Sequence, residues 1–252
     1  MKKMKILVVD NNPLIVKLVG NLLARDGHEV LAAEDGLSAL DILRDETPDI
    51  IIVDLIMPNI SGSQLCRIIR DNPRLSDVFI VILSGIVAEG AVDPADLKAD
   101  VCIAKGPAQN MGRHLVLALK LAEEKKGGAE VAPQSIGFDE VYQREITKEL
   151  LASKQETEVL LNHMAEGIVE LFPADNRIIY ANPAALALIG LPEEKVLGRQ
   201  FISLFDKKQQ RRLIPLLKAL DSGPQTINDD APVFLGQKQL TLHLLPPADD
   251  GH

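Results

Sequence analysis

Continuous apolar runs alternate with amphipathic stretches over the first 125 residues. Ile6-Leu7-Val8-Val9, Ile50-Ile51-Ile52-Val53, Val78-Phe79-Ile80-Val81-Ile82-Leu83 and Val101-Cys102-Ile103-Ala104 are four to six residues long and rich in β-branched side chains. Such runs suit strands buried on both faces of a parallel sheet. A weaker run, Glu29-Val30-Leu31-Ala32-Ala33, lies between the first two. Helical periodicity fills the gaps. Leu14, Val16, Leu18, Val19, Leu22 and Leu23 mark one helix, and Leu37, Leu40, Ile42 and Leu43 a second. Leu65, Ile68 and Ile69 mark a third, and Leu115, Leu117, Ala118 and Leu121 the last. Pro13 falls at a helix start, where its missing N–H costs nothing. Five strands alternating with five helices predict a doubly wound α/β domain with a five-stranded parallel sheet over residues 1–126.

The pattern then changes. Residues 127–137, Gly-Gly-Ala-Glu-Val-Ala-Pro-Gln-Ser-Ile-Gly, have the composition of a linker. From Asp139 to about Ala165 the chain is polar and helix-favouring. Ile146, Leu150, Ser153, Thr157, Leu160 and Met164 are spaced as a heptad seam, weakened by Ser153 and Thr157. A single helix packed on the following domain would fit the same spacing. Residues 127–156 are therefore expected to be a linker and signalling helix. Beyond it, Gly167–Phe172 and Arg177–Tyr180 flank a Pro173-Ala174-Asp175-Asn176 turn, as in a hairpin. Short helices are expected over Pro183–Ile189 and Lys207–Leu220, and further strands at Pro232–Leu235 and Gln239–Leu245. Residues 157–252 thus read as an α+β domain with an antiparallel sheet. The chain ends about where a last strand would follow, which reads as a truncation.

Composition removes several classes of function. Apolar residues make up 46% and charged residues 25%, which is globular rather than disordered usage. Aromatics are only 3%, with no Trp, so aliphatic side chains must fill the cores. The net charge is −9, divided as −3 over residues 1–126 and −6 over the remainder. Neither half has the basic excess that direct nucleic-acid binding requires. Cys66 and Cys102 are too few for a disulfide framework or a zinc site and read as reduced thiols of a cytoplasmic protein. No apolar run approaches the roughly 18 residues needed to span a bilayer. The basic Met1–Lys5 precedes only Ile6–Val9 before Asp10, which is not a signal peptide.

Ligands of an open parallel sheet gather at the carboxyl ends of its strands. Asp10 and Asn11 follow the first predicted strand, Asp54 the third, Ser84 the fourth and Lys105 the fifth. Any one of them alone reads as a strand-end turn residue. Four such coincidences at one edge predict a site. Carboxylates with a single Lys suit a hard cation such as Mg²⁺, which takes oxygen ligands and keeps several waters. Such a cation neutralises charge during attack on a phosphoryl group.

Ile6–Asp10, Val53-Asp54-Leu55-Ile56-Met57-Pro58 with Gly62, Ile82-Leu83-Ser84-Gly85 and Ala104-Lys105 resemble the receiver domain of two-component response regulators, a flavodoxin-like fold, over about residues 4–125. The resemblance implies that Asp54 is the phosphoacceptor for a sensor histidine kinase. It implies a Mg²⁺ site of Asp10, the Asn11 position, Asp54 and the backbone carbonyl of Ile56. Lys105 would pair with a phosphoryl oxygen. Ser84 would hydrogen-bond another and shift the face of the helix after the fourth strand. Some positions depart from the family. Asn11 stands where a second acidic ligand is usual, which should weaken the metal site. Cys102 stands where an aromatic switch residue is usual, Gly106-Pro107 where Lys-Pro is usual, and Lys98 where a turn Gly is common. As for the cysteines, small buried apolar fillers are expected rather than redox or metal ligands.

The second half resembles a PAS sensor domain over about residues 157–245. Asn162–Ile168, Arg177–Ala185, Ile189-Gly190 and Val196-Leu197-Gly198-Arg199 carry the likeness. Asn182 can cap the helix that Pro183 opens, as it could in any fold. PAS domains can hold haem, flavin or small metabolites. Haem and flavin are not expected here, because Lys207–Leu220 holds no His and residues 127–252 hold no Cys. His163 and His243 read as ordinary residues. Ile168, Ile179, Leu186, Leu188 and Leu217 could line a small-ligand pocket or form a solid dimerising core.

Together these expectations describe a cytoplasmic two-component phosphorelay protein, dimeric through its linker helix and PAS domain. No kinase catalytic domain, nucleotide-binding loop, cyclase motif or helix-turn-helix is visible. Two alternatives stay open: the N-terminal sensory part of a hybrid histidine kinase, and a non-phosphorylated pseudo-receiver scaffold.

Overall fold

Register decides where this chain can do chemistry. The structure, a computed structural model, describes residues 2–85, 94–137, 159–220, 223–227 and 232–246. The chain divides into two units, Met1–Val159 and Leu160–His252. In the first, strands β1 (Lys5–Val9), β2 (Glu29–Ala33), β3 (Ile50–Asp54), β4 (Phe79–Ser84), β5 (Val101–Ala104) and β6 (Gln134–Ile136) form one sheet in the order β2-β1-β3-β4-β5-β6. All neighbours are parallel. Every residue of β3, β4 and β5 is buried, as continuous β-branched runs require when helices cover both faces. Ile6, Val8, Ile50, Ile52, Val81 and Leu83 face a core shared with Val19, Leu23, Met111 and Leu115.

The helices start where their caps predict. Helix α1 (Pro13–Arg25) has Pro in its first turn, and Asn12 accepts the Leu14 N–H at 3.0 Å. Helices α2 (Gly36–Asp45) and α3 (Gly62–Asp71) each open on a reciprocal capping box, Asp35 with Ser38 and Ser61 with Gln64. Helix α4 (Ala108–Lys126) ends at Gly127. The helix expected after β4 falls partly outside the described residues, and residues 94–98 form turns.

The sheet carries one strand more than the hydrophobic pattern predicts. Strand β6 lies inside the stretch read as linker and pairs Gln134, Ser135 and Ile136 with Val101, Cys102 and Ile103. Gln134 and Ser135 are exposed, so an edge strand of three residues leaves almost no apolar signal.

The amino end of the sheet is pinned by a buried charge. Asp100 accepts the Ile80 N–H at 2.8 Å and Arg70 Nη2 at 2.6 Å, and Lys125 also pairs with it. Arg70 further donates to the Val78, Ser76 and Lys98 carbonyls. Lys98, at the position where a turn glycine is common, adopts a left-handed φ of 55°. Its carbonyl holds Arg70, and its ammonium pairs with Asp71 at 2.9 Å.

The second unit contains helices α5 (Pro183–Ile189), α6 (Glu193–Val196) and α7 (Lys207–Lys218), with a 3₁₀ turn at Phe201–Leu204. Strands β7 (Val169–Leu171) and β8 (Ile178–Ala181) form the expected hairpin, closed by Asn176 at a φ of 57°. Strand β9 (Gln225–Ile227) has no counterpart in the hydrophobic pattern. It pairs antiparallel with β12 (Leu242–Leu244), while β10 (Val233–Leu235) pairs with β11 (Lys238–Leu240). The single run expected over Gln239–Leu245 is therefore two strands with different partners.

Asn182 does more than cap a helix. It is fully buried, and its Oδ1 accepts the Ala185 and Ile168 N–H groups, both at 2.9 Å. Its Nδ2 donates to the Leu161 and Glu166 carbonyls at 3.0 and 2.9 Å. One amide thus fastens the start of α5, the entry to β7 and the residues before it, with its hydrogen-bonding capacity filled.

Ile179 is buried, but Leu188 is 39% exposed, so it does not line an interior pocket. His163 and His243 are exposed. Cys66 and Cys102 are buried and neither is in a disulfide, and burial pushes the Cys66 thiol up to about 12. Of the heptad positions, Ile146, Leu150, Ser153 and Thr157 lie outside the described residues, while Leu160 and Met164 are exposed. Among the described residues no helix is long and apolar enough to cross a membrane.

Two substitutions probe these anchors. Asp100→Ala leaves the Ile80 N–H and the Arg70 guanidinium without their carboxylate and should cost about 3–5 kcal/mol, read from the urea midpoint of the first unit. Asn182→Asp keeps both accepted bonds but turns a carboxylate toward two carbonyls. It should cost about 2 kcal/mol or more, seen as a lower melting temperature of the second unit with the first unchanged.

Candidate functional site

The parallel register brings four strand ends to one edge. Val9 pairs with Val53, so Asp10 follows β1 level with Asp54 at the end of β3. Asp54 pairs with Leu83, one residue before Ser84, and Ser84 pairs with Ala104, one residue before Lys105. The Lys105 N–H donates to the Ser84 carbonyl at 2.7 Å, which continues the β4–β5 ladder to the rim.

Asp10, Asp54 and Ser84 are 2%, 7% and 1% exposed. The ammonium of Lys105 lies 2.7 Å from Asp10 Oδ2 and 3.0 Å from Asp54 Oδ2. Two carboxylates so placed and so buried would repel strongly without a cation between them. Burial holds the Asp54 carboxyl above its ordinary range, and the Asp10 charge pushes the same way. Lys105 and the Ile56 N–H oppose both.

The chain leaving Asp54 is shaped by a glycine. A Cβ on Gly62 would stand 2.1 Å from the Asp54 carbonyl oxygen and 2.9 Å from Leu55 Cα. Only glycine lets α3 begin this close to the Asp54 backbone. The Gly62 N–H also donates to the Leu55 carbonyl at 3.2 Å.

The donor set fits a hard cation. Asp10 Oδ1 accepts the Asn12 N–H at 2.8 Å. Its other oxygen, Oδ2, is buried and accepts no hydrogen bond among the described residues, only the charge of Lys105. Asp10, Asp54, the Ile56 carbonyl and the exposed Asn11 amide could offer oxygen ligands, with water completing the shell. No cluster of three or more His, Cys, Asp or Glu side chains that could hold a metal occurs among the described residues. Asn11, next to Asp10, adds no charge to this rim.

Asp10, Asp54, Ser84 and Lys105 are therefore brought together at one rim, and Asn11 and Ile56 flank it at the surface. Sequence reasoning missed the role of Asn12, whose backbone orients Asp10. The available signal was Asn12-Pro13, a helix-start pair directly after the strand-end acid.

Comparisons with known proteins bear on both units. Residues 6–116 match the response regulator receiver domain, and residues 161–252 match a PAS fold. The response regulator PleD of Caulobacter vibrioides is 23% identical over 232 residues, which is 86% of this chain and 51% of that protein. The polar-differentiation response regulator DivK of Brucella anthropi is 28% identical over 85 residues, 34% of this chain and 69% of its own. A response regulator receiver domain structure from Clostridium thermocellum is 29% identical, with a TM-score of 0.41, over 49% of this chain and 96% of its own. The chain thus spans about half the length of PleD.

The raised Asp54 carboxyl has a consequence for stability. A carboxyl held above its unfolded value destabilises the fold when ionised, and the penalty disappears as pH falls through the folded value. Asp54→Asn should therefore be more stable than the wild type at pH 7. The advantage should shrink as pH falls and vanish only below the ordinary aspartate value of 3.8, measured as urea midpoints at about pH 7 and about pH 3.

Proposed function

Because this chain joins a response regulator receiver domain, residues 6–116, to a PAS-fold domain, residues 161–252, we propose that it is a two-component phosphorelay protein that accepts a phosphoryl group on Asp54 from a sensor histidine kinase. The observation that carries this reading is the Lys105 ammonium lodged between Asp10 and Asp54 at the rim of the sheet. A carboxylate in a dry pocket with a cation at hand is a competent nucleophile toward phosphorus.

In the transfer, an Asp54 oxygen forms the new P–O bond as the P–N bond of the donor's phosphoimidazole breaks. The electron pair of that bond returns to the imidazole nitrogen. Lys105 follows the charge from the carboxylate to the phosphoryl oxygens. Ser84 offers a hydroxyl donor one strand away. Asp10, held by the Asn12 N–H, keeps its second oxygen toward the pocket. Mg²⁺ bound by Asp10, Asp54, the Ile56 carbonyl and Asn11 would neutralise the phosphoryl oxygens. Asn11 lowers the charge of this site and so its affinity for the ion, without removing the acceptor.

The PAS-fold unit would sense a signal or pair with a second copy. The exposed Leu160 and Met164 are side chains that such a helical pairing would use. We take the setting to be the cytoplasm, in keeping with two cysteines outside any disulfide. A non-phosphorylated scaffold is the second reading, favoured by the neutral Asn11.

Incubation with acetyl phosphate or beryllofluoride and Mg²⁺ separates the two. Under the phosphorelay reading the protein gains the mass of one phosphoryl group from acetyl phosphate, or binds one beryllofluoride seen by its ¹⁹F resonance, and Asp54→Ala does neither. Absence of any adduct at millimolar Mg²⁺ would favour the scaffold. Asn11→Asp should tighten Mg²⁺ binding roughly tenfold by calorimetric titration, about the effect of one added ligand charge at a partly buried site. Unchanged affinity would count against the assigned role of Asn11.

A further inference from the structure

Without β6, strand β5 would be the edge of the sheet, and its outer N–H and C=O groups would be open to other chains. Residues 134–136 fill that edge, in parallel and in register.

This strand is held lightly. It has three residues, two of them exposed, and Ile136 alone packs against the main core. The Gln134 N–H donates to the Asp100 carbonyl at 3.2 Å. Gly137 ends the strand with a φ of 79°, pressed on the ring of His114 so closely that a Cβ would stand 2.2 Å from it. The strand's hold is thus a three-residue ladder, the Ile136 side chain and the Gly137–His114 contact, which is little beside the fully buried strands next to it.

Its docking partner leads directly to the candidate site. Ile136 pairs with Ile103, two residues before Lys105. Lys105 is tied by its N–H to Ser84, at 2.7 Å, and by its ammonium to both Asp10 and Asp54. A phosphoryl group on Asp54 replaces one of those carboxylate partners with a bulkier, more charged one. The ammonium then re-aims toward the phosphoryl oxygens, and the Lys105 backbone N–H, bonded to Ser84, is the point where that change bears on the end of β5.

We propose that β6 is a releasable edge strand whose docking on β5 depends on what occupies the Asp54 pocket, so that modification of Asp54 loosens it. The proposal rests on the phosphorelay reading and deepens it.

Amide hydrogen exchange of the full chain, followed by mass spectrometry over residues 101–104 and 133–137, tests this. With beryllofluoride and Mg²⁺, exchange of these segments should quicken about tenfold, the response of a lightly held strand to a modest bias. Asp54→Ala should show no such change. Bound beryllofluoride is detected separately by its ¹⁹F resonance. If the adduct forms and β6 exchange stays within about twofold, the coupling is wrong and the phosphorelay reading stands. If no adduct forms, the phosphorelay reading fails and the coupling with it. Lys105→Met supplies an arm that needs no adduct. Removing the ammonium should also quicken β6 exchange, with Ile136→Asp as the reference for a detached strand. Wild-type protection in Lys105→Met would overturn the proposal.

Discussion

Two carboxylates at neighbouring strand ends, each nearly cut off from water, are tolerable only because the Lys105 ammonium sits between them. The arrangement depends on the register of the sheet. Shift β3 by one residue against β1 and Asp54 is no longer level with Asp10. Shift β5 against β4 and Lys105 no longer reaches either. The continuous β-branched runs that bury these strands on both faces are therefore what hold three charges in mutual range. The fold stores repulsion at this rim, and a pocket so biased has reason to accept a new charge distribution.

The opposite end of the sheet solves the reverse problem. There one carboxylate, Asp100, lies among Arg70, Lys125 and the Ile80 N–H, and its bonds are satisfied. One end is over-supplied with acceptors and the other with donors. Rigidity sits at the amino end, where Arg70 ties α3, the Lys98 turn and the approach to β4 together. The two like-charged carboxylates sit at the carboxyl end. An anchored base allows the rim to change without loss of the sheet.

Much of this was legible in the residues, and the failures have a common cause. The runs Ile50–Val53 and Val101–Ala104 announce buried strands because burial on both faces demands apolar residues at every position. Asp10, Asp54, Ser84 and Lys105 were legible because each ends such a run. Strand β6 was not, since an edge strand with one face in water can be built of Gln134 and Ser135. Strand β9 escaped for a similar reason: Gln225–Ile227 is too short to display a period. Asn182 looked like a helix cap because sequence shows one neighbourhood at a time. Its bonds to Leu161 and Glu166 join segments that only the folded unit brings together. Backbone pairing at edges and long-range amide bonds leave little trace in composition, whereas burial leaves a strong one.

The two cysteines have a practical consequence. Cys66 and Cys102 are sealed in the core, and the thiol of Cys66 is held far from ionisation by its surroundings. A thiol-directed reagent acts on the thiolate and needs access. The native chain is therefore nearly silent toward such reagents while folded. A single cysteine introduced on the surface would take a fluorophore or spin label selectively, with both natural ones left in place.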